Sequence, residues 1–224
     1  MKPKLKLPFG AEIGCDGQWY QILNWAQRSK ELPALFLDRD GVLVEEVNYL
    51  RSAEMTRLHN GAVKTVNLAN KLGIPVIIVT NQSGIGRGIF DWSDFAEVQE
   101  EIMDKLAINN CFVNAVFACP HHETGNPPYN IANHSWRKPN SGMLMAAAKL
   151  LPINLSKSWI IGDKFDDLAA GQNAGIRGGM LVLTGHGQNE KKAGPKFEKE
   201  KNFTILIGNS IADAPSLLPI FSEI

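Results

Sequence analysis

Two carboxylates stand close together at the end of an apolar run, in LFLDRDGVLVEE (Leu35–Glu46). Ala34, Leu35, Phe36 and Leu37 read as a buried strand, which runs into Asp38 and Asp40, and Gly41 turns the chain directly afterwards. A buried carboxylate is costly unless something pairs with it. Either the aspartates cap the next element, or they hold a cation and do chemistry. As a chemical pair they divide labour: one attacks and the other handles the proton. Carboxylate attack on phosphorus gives an aspartyl-phosphate that water then cleaves. Such a site needs a divalent cation, and Mg2+ suits it, since it prefers oxygen ligands and uses only one or two protein carboxylates.

Three more stretches offer matching chemistry. VTNQSGIGRG (Val79–Gly88) supplies the Thr80 hydroxyl and, after it, backbone N–H groups able to hold phosphoryl oxygens. Its glycines lack the Lys-Ser/Thr of a nucleotide-binding P-loop. WRKPNSG (Trp136–Gly142) supplies Lys138 as a point charge for phosphate and Arg137 as a bidentate clamp. IIGDKFDDLAAG (Ile160–Gly171) brings a third carboxylate, Asp163, after a turning Gly162. Asp167 reads as a supporting acceptor behind the metal, and Asp166 as a helix cap.

The intervening sequence must position these groups. Strands are expected at Ala34–Asp38, Ile74–Thr80, Phe112–Ala118, Ser158–Asp163, Met180–Thr184 and Phe203–Ile207. Between them, Val63, Val66, Ala69 and Leu72 share one helical face that ends at Gly73. Asp91 or Ser93 can cap a helix running to about Ala107, with Phe95, Val98, Ile102 and Leu106 inward. Ser141–Leu151 reads as a helix, and another reaches Asn173. This alternation predicts an α/β fold, a doubly wound parallel sheet in three α/β/α layers. Ligands of such sheets bind at the C-terminal strand ends, where Asp38, Thr80, Cys119 and Asp163 all fall.

Residues 1–32 read as an N-terminal arm packed on the core by its aromatics, with a short helix at about Gln18–Arg28, and residues 33–224 as the main domain. The charged segment Gly185–Asn202 reads as a solvated loop, and His59 and His186 as surface histidines without partners. The 224 residues, 44% hydrophobic, suffice for one full α/β core. Zero net charge argues against nucleic acid or a membrane surface as partner. No segment is apolar for long enough to span a bilayer, and three scattered cysteines suit a reducing compartment, so a cytoplasmic location is expected. A monomer or weak homodimer is expected.

In order, D-x-D-G, T-N-Q-S-G, R-K-P and G-D-x-x-x-D resemble the haloacid dehalogenase (HAD) phosphohydrolase superfamily, over about Leu35 to Thr184. Together with CPHH and RKPNSGM they resemble its branch containing D-glycero-D-manno-heptose 1,7-bisphosphate and histidinol-phosphate phosphatases. The resemblance implies that Asp38 is the nucleophile and Asp40 the general acid/base. It implies an Mg2+ site of Asp38, the Asp40 backbone carbonyl and Asp163. Thr80 and Lys138 would stabilise the transferring phosphoryl group. Glu46, Tyr49, Asn81, Gln82, Ser83, Arg137 and Lys164 would contact substrate. The short insert after Asp40 implies a minimal cap and a small phosphorylated metabolite as partner. The heptose bisphosphate is the first expectation and histidinol phosphate the second. A non-catalytic scaffold is the contrasting class, but it should have lost one of the paired aspartates, and both are present.

The resemblance also implies a zinc loop, Cys-x-His followed by Cys-x-Cys before R-K-P. Cys119 and His121 complete the first half, but His134 and Trp136 stand where the second pair of cysteines belongs. His122 is a further donor nearby. Cys119, His121 and His134 make a poor structural zinc site, which needs four N/S ligands. A metal-free loop packed by Trp136, Tyr129 and prolines is the competing expectation.

Overall fold

The computed structural model describes residues 7–23 and 30–222. One sheet of eight strands runs through it: β1 (Ala11–Ile13), β2 (Trp19–Ile22), β3 (Leu35–Leu37), β4 (Val76–Asn81), β5 (Ala115–Cys119), β6 (Trp159–Gly162), β7 (Gly178–Val182) and β8 (Thr204–Gly208). The order is β1-β2-β5-β4-β3-β6-β7-β8. Strands β3 to β8 pair in parallel, while β1 and β2 pair antiparallel to each other and β2 pairs antiparallel to β5. Chain order reverses at β3, which lies between β4 and β6 and so opens a crevice at its C-terminal end.

The longer helices are α1 (Ala62–Lys71), α3 (Trp92–Ala107), α4 (Gly142–Leu150) and α5 (Phe165–Asn173), with a short α2 (Ser83–Gly86) after β4. Successive strand residues serve opposite layers, as the pleat requires. Leu35, Leu37, Val76 and Ile78 join the apolar cluster containing Val66, Phe95 and Ile102. Phe36, Ile77 and Val79 join the one containing Met143, Leu144 and Leu168. Burial on both faces explains why β4 reads as an unbroken β-branched run. Asp91 caps α3 by accepting from Ser93 and Asp94 N–H, and the Asp94 side chain accepts from Asp91 N–H in return.

The expected arm helix is corrected. Trp19–Ile22 is a strand, and residues 24–29 of the expected helix lie outside the described residues. Trp19 and Gln21 point inward, and Trp19 packs against Trp92 and Phe95 at 5.5 and 5.2 Å between ring centroids. Gln21 is buried, and its amide nitrogen donates to the Phe9 carbonyl at 2.9 Å. The expected loop at Gly185–Asn202 instead contains a short helix, α6 (Gly187–Ala193). No helix among the described residues is long and apolar enough to cross a membrane.

Candidate active site

The C-terminal ends of β3, β4 and β6 deliver Asp38, Thr80 and Asp163 to one place. The Asp38 N–H donates to Ile161 O at 2.9 Å, which continues the β3–β6 ladder and fixes where its carboxylate begins. Lys138 reaches in from the loop before α4. Its ammonium lies 2.8 Å from Asp38 Oδ1, 2.5 Å from Asp167 Oδ1 and 2.8 Å from the Val79 carbonyl. All three donor hydrogens are therefore used. Burial opposes the charge on Lys138, but Asp167 and Asp38 more than offset it and push its pKa up.

Asn81 locks Lys138 from behind. Its Oδ1 accepts from Lys138 N–H and its Nδ2 donates to Lys138 O, at 3.1 and 3.0 Å. Asn81 also lines the cleft where it is expected to meet substrate. Gln82 does similar work: its Nε2 lies 2.9 Å from both Asp40 Oδ2 and Thr80 Oγ1. Asp40 is further held by the fully buried Arg39, whose guanidinium is stacked 5.0 Å from the Phe95 ring centroid. These bonds turn the Asp40 carboxylate toward Arg39 and Gln82.

Asp163 is fully buried. Its Oδ2 accepts from His186 N–H at 2.8 Å, whereas its Oδ1 is buried without a partner among the described residues. Asp38, Asp163 and Asp167 bring carboxylate oxygens within 4.8 Å of one another. Burial, then Asp38, then Asp167 push the Asp163 pKa up to about 8. Burial likewise raises Asp167, to about 6, against the pull of Lys138. Clustered buried acids with an orphan oxygen form a hard-donor set suited to a divalent cation. Two glycines make room: a Cβ on Gly41 or Gly185 would fall 2.5 or 2.3 Å from Asp163 Oδ2, and both have positive φ.

Glu46, Ser83, Arg137 and Lys164 line the cleft above this floor, and Tyr49 lines its continuation past Asp40. Asp167 is more than a supporting acceptor, because its Oδ2 also accepts from Lys164 N–H and caps α5. That cap is the role expected of Asp166. His186 is not a partnerless surface residue: it lines the cleft, its N–H fixes Asp163, and its Nε2 lies 3.9 Å from Glu46. The signal that could have found it is its place in Gly185-His186-Gly187, just past the end of a parallel strand. Arg87, also unassigned from sequence, donates to Tyr49 Oη and faces His122.

Known proteins share this arrangement of chain. A HAD-hydrolase-like family model matches residues 135–212. A D-glycero-beta-D-manno-heptose-1,7-bisphosphate 7-phosphatase of Mesorhizobium japonicum is 43% identical over 166 residues, which are 74% of this chain and 76% of the relative. The chain belongs to the HAD-like hydrolase family. This HAD-like hydrolase is also 32% identical to the Escherichia coli K12 protein of the same name, over 85% of this chain and 95% of that one. Its fold matches the crystal structure of a HAD-like phosphatase from Mesorhizobium loti with TM-score 0.82 and 36% identity, covering 93% of this chain and 94% of the other. A D,D-heptose 1,7-bisphosphate phosphatase from B. bronchiseptica, complexed with magnesium and phosphate, matches with TM-score 0.73 and 26% identity, covering 86% of this chain and all of that one.

Proposed function

We propose that this HAD-like hydrolase is a magnesium-dependent phosphatase of a small sugar phosphate, with D-glycero-D-manno-heptose 1,7-bisphosphate, cleaved at C7, as first substrate. One observation carries the chemistry: Asp38 is held by Lys138 beside the orphaned Asp163 Oδ1 on the floor of a polar cleft. The relatives' names carry the substrate.

The residues act as follows. Lys138 fixes Asp38 through Oδ1 and leaves the second carboxylate oxygen to attack phosphorus. Asp40, oriented by Arg39 and Gln82, protonates the departing ester oxygen. It then takes a proton back from the water that hydrolyses the Asp38 acyl phosphate, which releases inorganic phosphate and regenerates the Asp38 carboxylate and the protonated Asp40. The Thr80 hydroxyl holds a phosphoryl oxygen, and Lys138, its hydrogens spent on Asp38, Asp167 and Val79 O, adds its positive charge beside it. Asp38, Asp163 and the Asp40 carbonyl would hold the magnesium, with Asp167 behind them. Bound magnesium supplies charge neutralisation for a phosphate approaching three acids. Arg137, Lys164 and Glu46 orient the rest of the substrate. Free thiols at Cys15, Cys111 and Cys119 fit a reducing, cytoplasmic setting.

The test is phosphate release with saturating Mg2+ over sugar phosphates, sugar bisphosphates, histidinol phosphate and nucleotides. The heptose bisphosphate should have the highest kcat/KM, and Asp38→Asn should reduce it by a factor on the order of 10^4. Preference for histidinol phosphate would replace the substrate and keep the chemistry. No turnover of any compound by folded protein would favour the scaffold class.

A further inference from the structure

The loop from Cys119 to Lys138 carries the phosphate-facing pair Arg137 and Lys138, and in the resembling family it is the place for zinc. Its donors do not suit that ion here. The His121 and His134 rings lie face to face, 3.8 Å between centroids and 6° from parallel. Stacked rings keep their in-plane nitrogen lone pairs in parallel planes, 3.8 Å between centroids, so the two do not point at one ion at the roughly 2.0–2.1 Å of a Zn–N bond. His134 Nδ1 accepts from Trp136 N–H at 3.2 Å and lies 3.8 Å from Cys119 Sγ. Burial pushes the Cys119 thiol up to about 11, away from the thiolate that zinc requires. His122 is turned to Arg87 and Thr124. Cys119, His121 and His134 do not form a group with ligand atoms within 4.8 Å of one another, as the acidic trio does.

Something else occupies the outer side of the stack. The turn between β1 and β2 lies against it. Asp16 O accepts from His121 Nε2 at 2.8 Å, and Asp16 Oδ2 lies 3.7 Å from His134 Nε2. Since His134 Nδ1 accepts, its proton sits on Nε2 and faces that carboxylate. Gly17 fits beneath Tyr129, whose ring meets His121 edge-on at 5.5 Å; a Cβ there would fall 2.4 Å from the Tyr129 ring. Arg137 in turn hangs on the two histidines. Its N–H donates to His134 O and its Nη1 donates to His121 O, at 2.9 and 3.0 Å.

We propose that the N-terminal hairpin turn, through Asp16, staples this loop in place of a metal and is thereby a positioning element for Arg137. The positioning role rests on the phosphatase reading; the staple itself does not. Lys138 has its own ties to Asn81, Asp38 and Asp167, so loosening the loop should fall on Arg137 and show in KM.

The experiment measures three things on the full chain: zinc content after purification without added metal, hydrogen exchange of peptides spanning 119–137, and steady-state kinetics. The wild type should hold far less than one zinc per chain. Asp16→Ala keeps the backbone bond to His121 and loses only the carboxylate facing His134, so it should speed exchange across the loop and raise KM about twofold, with little change in kcat. Asp16→Asn, which keeps an acceptor, should restore both. Gly17→Ala, which pushes the whole turn off Tyr129, should exceed Asp16→Ala. One zinc per chain that survives dialysis would overturn the staple, as would loop exchange unchanged in both Asp16→Ala and Gly17→Ala. If no substrate is turned over, the phosphatase reading fails while metal content and exchange still decide the staple.

Discussion

Arg137 and Lys138 are neighbours in sequence, yet they are held by different means. Lys138 lies on the floor, fully engaged by two carboxylates, a strand carbonyl and the Asn81 amide. Arg137 lies on the rim, tied to carbonyls of a loop that itself leans on a distant hairpin. The floor is built on strand ends that cannot move without breaking the sheet, and Lys138 is pinned to them. The rim is made of segments that only tertiary contact brings together. Chemistry that all members of a phosphatase family share needs the first kind of construction. Recognition of one substrate among many can be built on the second.

The largest expected effect comes from breaking the floor. Lys138→Met should leave Asp38 and Asp167 facing each other in a buried space with no cation. Removing one member of a buried ion pair costs about 3–5 kcal/mol. Urea unfolding of the magnesium-free protein should show a loss of that size, and phosphate release should fall by a factor on the order of 10^3. Stability equal to that of the wild type would show that the acids do not depend on this lysine.

The same division decided what could be read from sequence. Asp38, Thr80 and Asp163 were legible because each follows a continuous apolar strand, and a parallel sheet puts those ends together. Lys138 came from its motif, but its pairing with Asp167 did not, since nothing local links a loop to the first turn of α5. Trp19–Ile22 was misread because the inward Gln21 breaks the apolar alternation that marks a strand, and its compensating bond to Phe9 is invisible in sequence. α6 was missed because its charged residues carry no apolar stripe; its buried Gly187 instead packs close to the Val182 carbonyl. The Asp16–histidine contact joins residues more than a hundred positions apart.

A smaller effect, specific to the metal, should come from Asp163→Asn. In the metal-free fold, burial and the neighbouring Asp38 and Asp167 raise Asp163 to about 8, whereas in the unfolded chain it titrates near ~4. Between those values the native state holds the extra proton, so this group's contribution to metal-free stability is fully present below about pH 4 and is lost as pH rises toward 8. Asp167, raised to about 6, adds to the lower part of that decline. Magnesium needs the ionised acids, so its binding should release protons and tighten over the same range. Thermal melts at pH 6 and 8, with and without Mg2+, should show a larger magnesium-induced Tm rise at pH 8. Asp163→Asn should flatten the metal-free decline and remove most of the magnesium response. A full magnesium response in this variant would place the ion elsewhere.

The smallest effect expected is on the rim, and it asks whether the two neighbours really divide their work. Arg137→Lys keeps the positive charge but loses the planar fork, and with it the bond to His121 O or a bidentate grip on substrate. Burial already depresses the Arg137 pKa, so this cation is poorly solvated and gains from an anionic ligand. If Arg137 only orients the substrate, the variant should raise KM about tenfold and leave kcat within about twofold, because uniform binding is lost and transition-state contacts are not. If it also steadies the phosphoryl group in the transition state, kcat should fall with KM little changed. That second outcome would move Arg137 from the rim to the floor in function while it remains on the rim in structure. Lys138 would then share the transition-state charge with a neighbour whose position depends on the hairpin, and Asp16→Ala should lower kcat as well.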